Sequence, residues 1–223
     1  MASLSPSITR PASAEGDGVD TILYLTSNPR GAASYSDKVR AQVLQELQRD
    51  HPNAVLVARD LAHQVLPRIE ENFAAGMSQP LERRTPAQRA ATTRSNILID
   101  ELLAADIVVI AVAMINFAIP STLKAWVDHV TRRGRTFVYG ENGPQGLVIG
   151  KRVILVQAKG GVYAGAMQPC DFVASYLKHM LGFLGVTDMQ VVDLEGMTCG
   201  VDSAERTLAR GEKCAEAVVS EVA

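Results

Sequence analysis

From Ile107 to Val112 the chain reads Ile-Val-Val-Ile-Ala-Val, almost wholly β-branched and without polar alternation. A run of this kind belongs to a parallel strand covered on both faces. It is short, and it ends in Ala113-Met-Ile-Asn-Phe117, after which Pro120 sits where the first turn of a helix tolerates a missing N–H. Open α/β sheets bind their ligands in loops at the carboxyl ends of central strands. Residues 113 to 117 are therefore expected to face a bound cofactor.

The rest of the chain alternates strand and helix signals around that stretch. Thr21–Leu25 is a short apolar strand, followed by a hydroxyl-rich loop over 26–37 and a helix with Val39, Val43 and Leu47 on one face. Ala54–Ala58 is a second strand, and Arg59-Asp-Leu61 leads into an irregular connection through Pro67, Gly76 and Pro80. A long helix is expected from Pro86, with Ala87, Ala91, Leu98 and Leu102 at helix-face spacing. The helix after Pro120 carries Leu123, Trp126, Val127 and Val130, a stripe that suits core or a subunit interface.

Thr136-Phe-Val-Tyr-Gly-Glu-Asn-Gly-Pro-Gln-Gly146 combines extended alternation with turn chemistry and predicts a hairpin excursion near 136–147. Such an insertion is surplus to a minimal doubly wound unit and is expected to shape a pocket or a partner contact. Arg152–Gln157 is a fourth sheet strand, residues around 169–184 a helix, Met189–Asp193 a fifth strand, and Ser203 opens a last helix with Ala204, Leu208, Ala215 and Val219 on one face. The pattern predicts an α/β chain with a flavodoxin-like doubly wound five-stranded parallel sheet in a three-layer α/β/α arrangement. Residues 19–223 read as one domain behind a disordered tail over 1–18, which is rich in Ser, Pro, Ala and Gly and lacks the apolar segment of a signal peptide.

Composition narrows the function. With 22 basic and 24 acidic side chains the formal charge is −2, which argues against a nucleic-acid footprint. The basic clusters at Glu82-Arg-Arg84 and Thr131-Arg-Arg-Gly-Arg135 read as solvated helix ends. Cys170, Cys199 and Cys214 are too scattered for a disulfide framework or a zinc site and suit reduced thiols in the cytosol. His51, His63, His129 and His179 show no metal-ligand spacing, and no Gly-x-Ser-x-Gly elbow is present. No apolar run has transmembrane length.

Three loops follow strands that share a direction and so lie on one edge of the sheet. In the first, Ser34 or Ser36 is placed to cap a helix whose backbone amides would hold a phosphate, although the serines could serve as caps alone. The second offers Met114, Asn116 and Phe117. The third, Ala158-Lys-Gly-Gly161, lets backbone approach a flat ligand, an ordinary turn being the alternative. Together they suit a mononucleotide with a planar head, and FMN is the ligand that uses this switch point.

Three motifs carry a family resemblance: Met114-Ile-Asn-Phe-Ala-Ile-Pro-Ser-Thr-Leu-Lys-Ala-Trp-Val-Asp128, Thr136 to Leu147, and Lys159-Gly-Gly161, with the Ser-rich first loop. In these the chain resembles the FMN-dependent NADH azoreductases, also called NADH:quinone oxidoreductases, from about Thr21 to near its end. The resemblance implies a cytoplasmic homodimer with FMN bound near the interface, reduced by NADH or NADPH and reoxidised by a quinone or azo compound in a ping-pong cycle. By motif position Asn28, Ser34, Tyr35 and Ser36 would hold the phosphate. Met114, Ile115, Asn116 and Phe117, with Lys159, Gly160 and Gly161, would frame the isoalloxazine. Tyr139 would reach a substrate pocket, that of the neighbouring subunit, and Phe117 would border it.

Two departures bear on substrate range. The family's Pro-Met-Tyr-Asn-Phe is here Ala113-Met-Ile-Asn-Phe117, and its Ser/Thr-Arg-Gly-Gly is here Ala158-Lys-Gly-Gly161. Ile115 lacks a phenol, and Lys159 keeps a charge without the planar fork of Arg. A flavin-binding electron carrier, or a regulatory protein that has lost the cofactor, are the rival readings. The hairpin favours an enzyme, because a carrier needs no pocket for an organic substrate.

Overall fold

The computed structural model describes residues 19–220, so the expected tail over 1–18 lies outside the described residues. Five parallel strands, β1 (Thr21–Ser27), β2 (Val55–Asp60), β3 (Ile107–Ala113), β6 (Arg152–Ala158) and β7 (Asp188–Leu194), form one sheet in the order β2-β1-β3-β6-β7. A separate antiparallel pair, β4 (Phe137–Gly140) and β5 (Gly143–Gly146), is the predicted hairpin. The helices are α1 (Tyr35–Asp50), α2 (Glu71–Met77), α3 (Pro86–Ala104), α4 (Ser121–Val130), α5 (Val173–Leu184) and α6 (Val201–Ser220).

β3 is central and buried from Ile107 to Val112, as its unbroken apolar run requires. Its alternate residues feed two cores. Val108, Ile110 and Val112 pack with α3, α4 and α5, while Ile107 and Val109 pack with α1 and α6. The register pairs Ser27 with Val112 and Ala113 with Ala158, so the three central strands stop together. The predicted apolar stripe of α4 is core: Leu123, Trp126, Val127 and Val130 are all buried. Val39, Val43 and Leu47 of α1 likewise face inward.

Several expectations change in detail. The connection after β2 is not irregular throughout but contains α2, a seven-residue helix whose Phe73 packs edge-on to His129 with centroids 5.1 Å apart. On α3 the buried face over its first half is Thr92 and Ser95, not Ala87, which is exposed. The Ser95 hydroxyl donates to the His129 carbonyl at 2.5 Å, which ties α3 to α4. Thr85 and Gln88 form a reciprocal capping box at the start of α3. The predicted helix around 169–184 is split, with a 3₁₀ turn over Gly165–Cys170 and α5 starting only at Val173.

The Thr131–Arg135 cluster is not a solvated end. Arg132 is buried, donating to the Ser95 hydroxyl at 3.0 Å and to the Asn96 amide oxygen at 2.6 Å. Burial, with repulsion from Arg135 and Arg84, pulls its pKa down to about 10, which leaves it charged at neutral pH. This buried arginine fastens the base of the hairpin to α3.

The hairpin's second strand is docked on α5 at its base. The Val148 amide donates to the Leu184 carbonyl at 2.8 Å, and a Cβ at Gly146 would overlap the backbone of Leu184 and Gly185. Gly185 ends α5 with φ 109°, a conformation that favours glycine. Gly146→Ala is therefore expected to destabilise the protein by about 1–3 kcal/mol, checked as a lower midpoint of urea unfolding.

Candidate functional site

The first loop opens where β1 stops. Ser27 shares a 2.6 Å hydroxyl hydrogen bond with Thr122 of α4, which fixes the start of the loop against the neighbouring one. A 3₁₀ turn over Gly31–Ala33 leads to Ser34, the N-cap residue of α1. The capping prediction holds for position but not for chemistry, because the Ser34 side chain makes no cap hydrogen bond. Its hydroxyl instead lies 3.0 Å from that of Ser36, which donates to Asn28 Oδ1 at 3.1 Å. The first-turn amides of α1 thus receive no side-chain acceptor, and a helix start of that kind favours an anion. Asn28 is buried, and among the described residues its Nδ2 has no partner. Tyr35 is half-buried beside this group, with the Lys38 ammonium 5.6 Å from its ring centroid.

The second loop is a tight turn. Ile115 and Ala118 exchange backbone hydrogen bonds of 3.0 and 3.1 Å around Asn116 and Phe117. Both central residues have positive φ, 47° and 69°, as a type I′ turn requires. Asn tolerates that region, whereas Phe is a rare occupant, costing on the order of 1–2 kcal/mol. The turn lifts both side chains clear of the core: Phe117 is 48% exposed, and Ile115 and Asn116 are exposed beside it. Met114 stays half-buried against the core, with its amide donating to the Ala158 carbonyl at 2.9 Å.

The third loop is bound to the segment after β7. The carbonyls of Lys159, Gly160 and Gly161 accept from the amides of Met197, Thr198 and Gly196 at 2.9–3.0 Å. Among the described residues the N–H groups of Gly160 and Gly161 donate to nothing in the chain. A Cβ at Gly160 would press on Thr198 at 3.1 Å, whereas one at Gly161 would meet only Tyr163 at 3.6 Å. Nothing inside the chain therefore demands glycine at 161.

Lys159 does not present its charge to this surface. Its side chain is 1% exposed, and the ammonium lies 2.8 Å from Asp171, 2.6 Å from Asp193 and 2.8 Å from Glu195. Burial disfavours the charged form, but hydrogen bonds to these carboxylates outweigh it and raise the lysine pKa above its ordinary value. Burial also raises that of Asp193, partly offset by Lys159. What Lys159 contributes to the loop surface is backbone alone.

A groove of about 1200 Å³ runs from Ser27 and Pro29 past Ile115 and Asn116 to Lys124 on α4 and Phe172, Tyr176 and His179 on α5. It joins two of the three predicted loops. Gly160 and Gly161 do not line it, and neither does Tyr139, which is 61% exposed on the hairpin with the Arg133 guanidinium 5.4 Å from its ring centroid. Phe117 and Phe172 meet beside the groove, where the Phe172 amide donates to the Phe117 carbonyl at 3.0 Å.

Sequence reasoning passed over Tyr163, Asp171 and Phe172. Tyr163 packs edge-on to Phe117 with centroids 6.3 Å apart, and its place two residues after the Gly-Gly pair was a usable signal. Asp171 and Phe172 fall within the helix expected around 169–184, a reading that gave no reason to single them out. Of the histidines, His129 is buried with Nε2 2.9 Å from the Pro67 carbonyl, while His63 pairs with Asp60 at the rim of the groove.

A family described by its flavodoxin-like fold matches residues 20–218. The FMN-dependent NADH:quinone oxidoreductase of Mesorhizobium japonicum is 46% identical over 201 residues, spanning 90% of this chain and 96% of the relative. The chain belongs to this family. The enzyme of the same description from Azotobacter vinelandii is 44% identical over 192 residues, 86% of this chain and 96% of its own. Among solved structures, an azoreductase from Bacillus anthracis str. Sterne superposes with a TM-score of 0.85 at 30% identity, covering 91% of this chain and 99% of that one. An FMN-dependent NADH-azoreductase from Bacillus anthracis str. Ames Ancestor, crystallised in complex with FMN, gives 0.78 at 26% identity over 89% and 99%.

The raised lysine pKa has a pH signature. A lysine held charged in the folded state contributes stability that is fully present below its unfolded pKa, about 10.4, and is lost as the pH rises through the folded value. The difference in unfolding free energy between the native chain and Lys159→Met is expected to stay level from neutral pH to about 10 and then to shrink. Urea unfolding of both proteins across that range checks it.

Proposed function

We propose that this protein is an FMN-dependent NAD(P)H oxidoreductase that reduces quinones and azo compounds. The reading is carried by one observation: among the described residues Asn28 Nδ2 and the amides of Gly160 and Gly161, all at the carboxyl edge of the sheet, have no partner, and these are donors that a flavin mononucleotide would use. Asn28 Nδ2, the uncapped start of α1 and the Ser34–Ser36 hydroxyls suit a phosphate. The amides of Gly160 and Gly161, the room beside Gly161, and the exposed Asn116 suit the polar edge of a planar ring. Family membership and the described activities of the relatives agree with this fit.

Bound FMN would supply the redox chemistry, a two-electron exchange in alternating half-reactions between NADH or NADPH and the acceptor, whose protons would come from the reduced flavin and from solvent. The chain's own work is binding and orientation. The α1 start would favour the phosphate, and the strained turn would hold Asn116 between ring and groove with Phe117 beside them. The groove between the second loop, α4 and α5 offers an organic substrate a place beside the ring, which supports turnover. Ile115 on its wall is one source of substrate range.

A homodimer is part of the proposal. Ile115, Phe117 and Phe172 are exposed beside the groove and Tyr139 is exposed on the hairpin; a second subunit would cover these apolar side chains, and Tyr139 would then reach the partner's groove. A cytoplasmic setting is supported by Cys170, Cys199 and Cys214, all free thiols.

Purified protein is expected to be yellow, to lose its flavin absorbance with NADH or NADPH in the absence of oxygen, and to regain it on adding a quinone. Protein that cannot be reconstituted with FMN would sink the proposal. Parallel double-reciprocal plots would support the alternating half-reactions, and intersecting ones would reject them. Asn116→Ala is expected to weaken FMN binding about tenfold, the loss of one good hydrogen bond, measured by quenching of flavin fluorescence. Unchanged affinity would remove Asn116 from the site.

A further inference from the structure

Lys159 is among the largest fully buried side chains in the chain, in a class otherwise apolar, yet its charge serves no groove. An ammonium has three donors. Here they meet three carboxylates on different parts of the fold. Asp193 and Glu195 belong to the end of β7 and are held independently by strand pairing, Gln157 with Asp193 and Ala158 with Leu194, and by the Lys159 amide bonded to the Leu194 carbonyl at 2.8 Å.

Asp171 is differently placed. It lies near the end of the 160–172 segment, whose start is bonded through Gly160 and Gly161 to the residues after β7 and whose end leads into α5. One Asp171 oxygen accepts from Lys159 at 2.8 Å, and the other accepts from the Val173 amide at 3.1 Å, at the start of α5. The next residue, Phe172, donates its amide to the carbonyl of strained Phe117. Tyr163, from the same segment, donates its amide to Glu195 at 3.1 Å, sits 5.5 Å from the Lys159 ammonium and packs on the Phe117 ring. Both supports of Phe117 therefore lead back to one lysine.

We infer that Lys159 is a positioning residue, which tethers the 160–172 segment through Asp171 and thereby holds the Asn116–Phe117 turn in its left-handed conformation. The tether itself does not depend on the ligand; only its effect on FMN rests on the function proposed above. A charge is needed because one apolar side chain cannot satisfy three carboxylates, and removing the ammonium would leave them facing one another.

The decisive variant is Asp171→Asn, which weakens the tether while Lys159 keeps Asp193 and Glu195. Lys159→Met is the stronger companion. In protein stripped of flavin, amide hydrogen exchange of Asp171→Asn is expected to quicken about tenfold or more across 160–172 and 115–118, with β1 and β3 unchanged. After FMN is added, the visible circular dichroism of the bound flavin should change and its dissociation constant rise about fivefold or more. Exchange at 115–118 that stays at the native rate in Asp171→Asn would overturn the inference, as would quickening spread evenly over the sheet. Quickening at 115–118 with native flavin dichroism and affinity would uphold the tether and count instead against the turn as part of a flavin site.

Discussion

The parallel direction of five strands is the constraint from which the rest of this structure follows. It forces every connection to cross a face of the sheet and brings the loops after β1, β3, β6 and β7 to one edge. The register then decides how closely they meet, since Ser27 lies level with Val112 and Ala113 with Ala158. A ladder with its strands offset would have left the same residues at different heights, with no common surface.

At that edge the structure works against its own preferences. Phe117 occupies a backbone region that glycine would fill more easily, and Lys159 places a charge where the fold is otherwise apolar. Neither conformation would survive alone. They persist because the surroundings over-determine them, Phe117 by the hydrogen bond from Phe172 and the ring contact with Tyr163, Lys159 by three carboxylates. Local strain concentrated beside a groove is the pattern expected where a surface is built in advance of its ligand.

Much of this was legible in the residues. The unbroken apolar run of β3 announced a central strand, the Glu-Asn-Gly-Pro turn announced the hairpin, and the faces of α1 and α4 could be read from spacing. The strands and their edge placed Asn28, Ser34 and Asn116 correctly on the loops. What failed did so for physical reasons. Helix α2 is only seven residues long and carries Gly76, so it shows little periodicity. Arg132 looked solvated because a run of charge says nothing about what will pack over it. Lys159 lies on the expected loop with its side chain buried, which was not legible because its carboxylates stand 12 to 36 positions away in sequence and are brought together by the β6–β7 pairing and the start of α5.

One further feature links the two ends of the molecule. The first residues of α5 follow Asp171 and Phe172 beside the groove, and its last turn carries the hairpin on Leu184 and Gly185. Twelve helical residues make a rod of about 18 Å. Because the Gly146–Gly185 contact leaves no slack at one end and the Phe172–Phe117 bond pins the other, α5 acts as a beam clamped at both supports. The hairpin and the turn at Phe117 are thus joined through one helix.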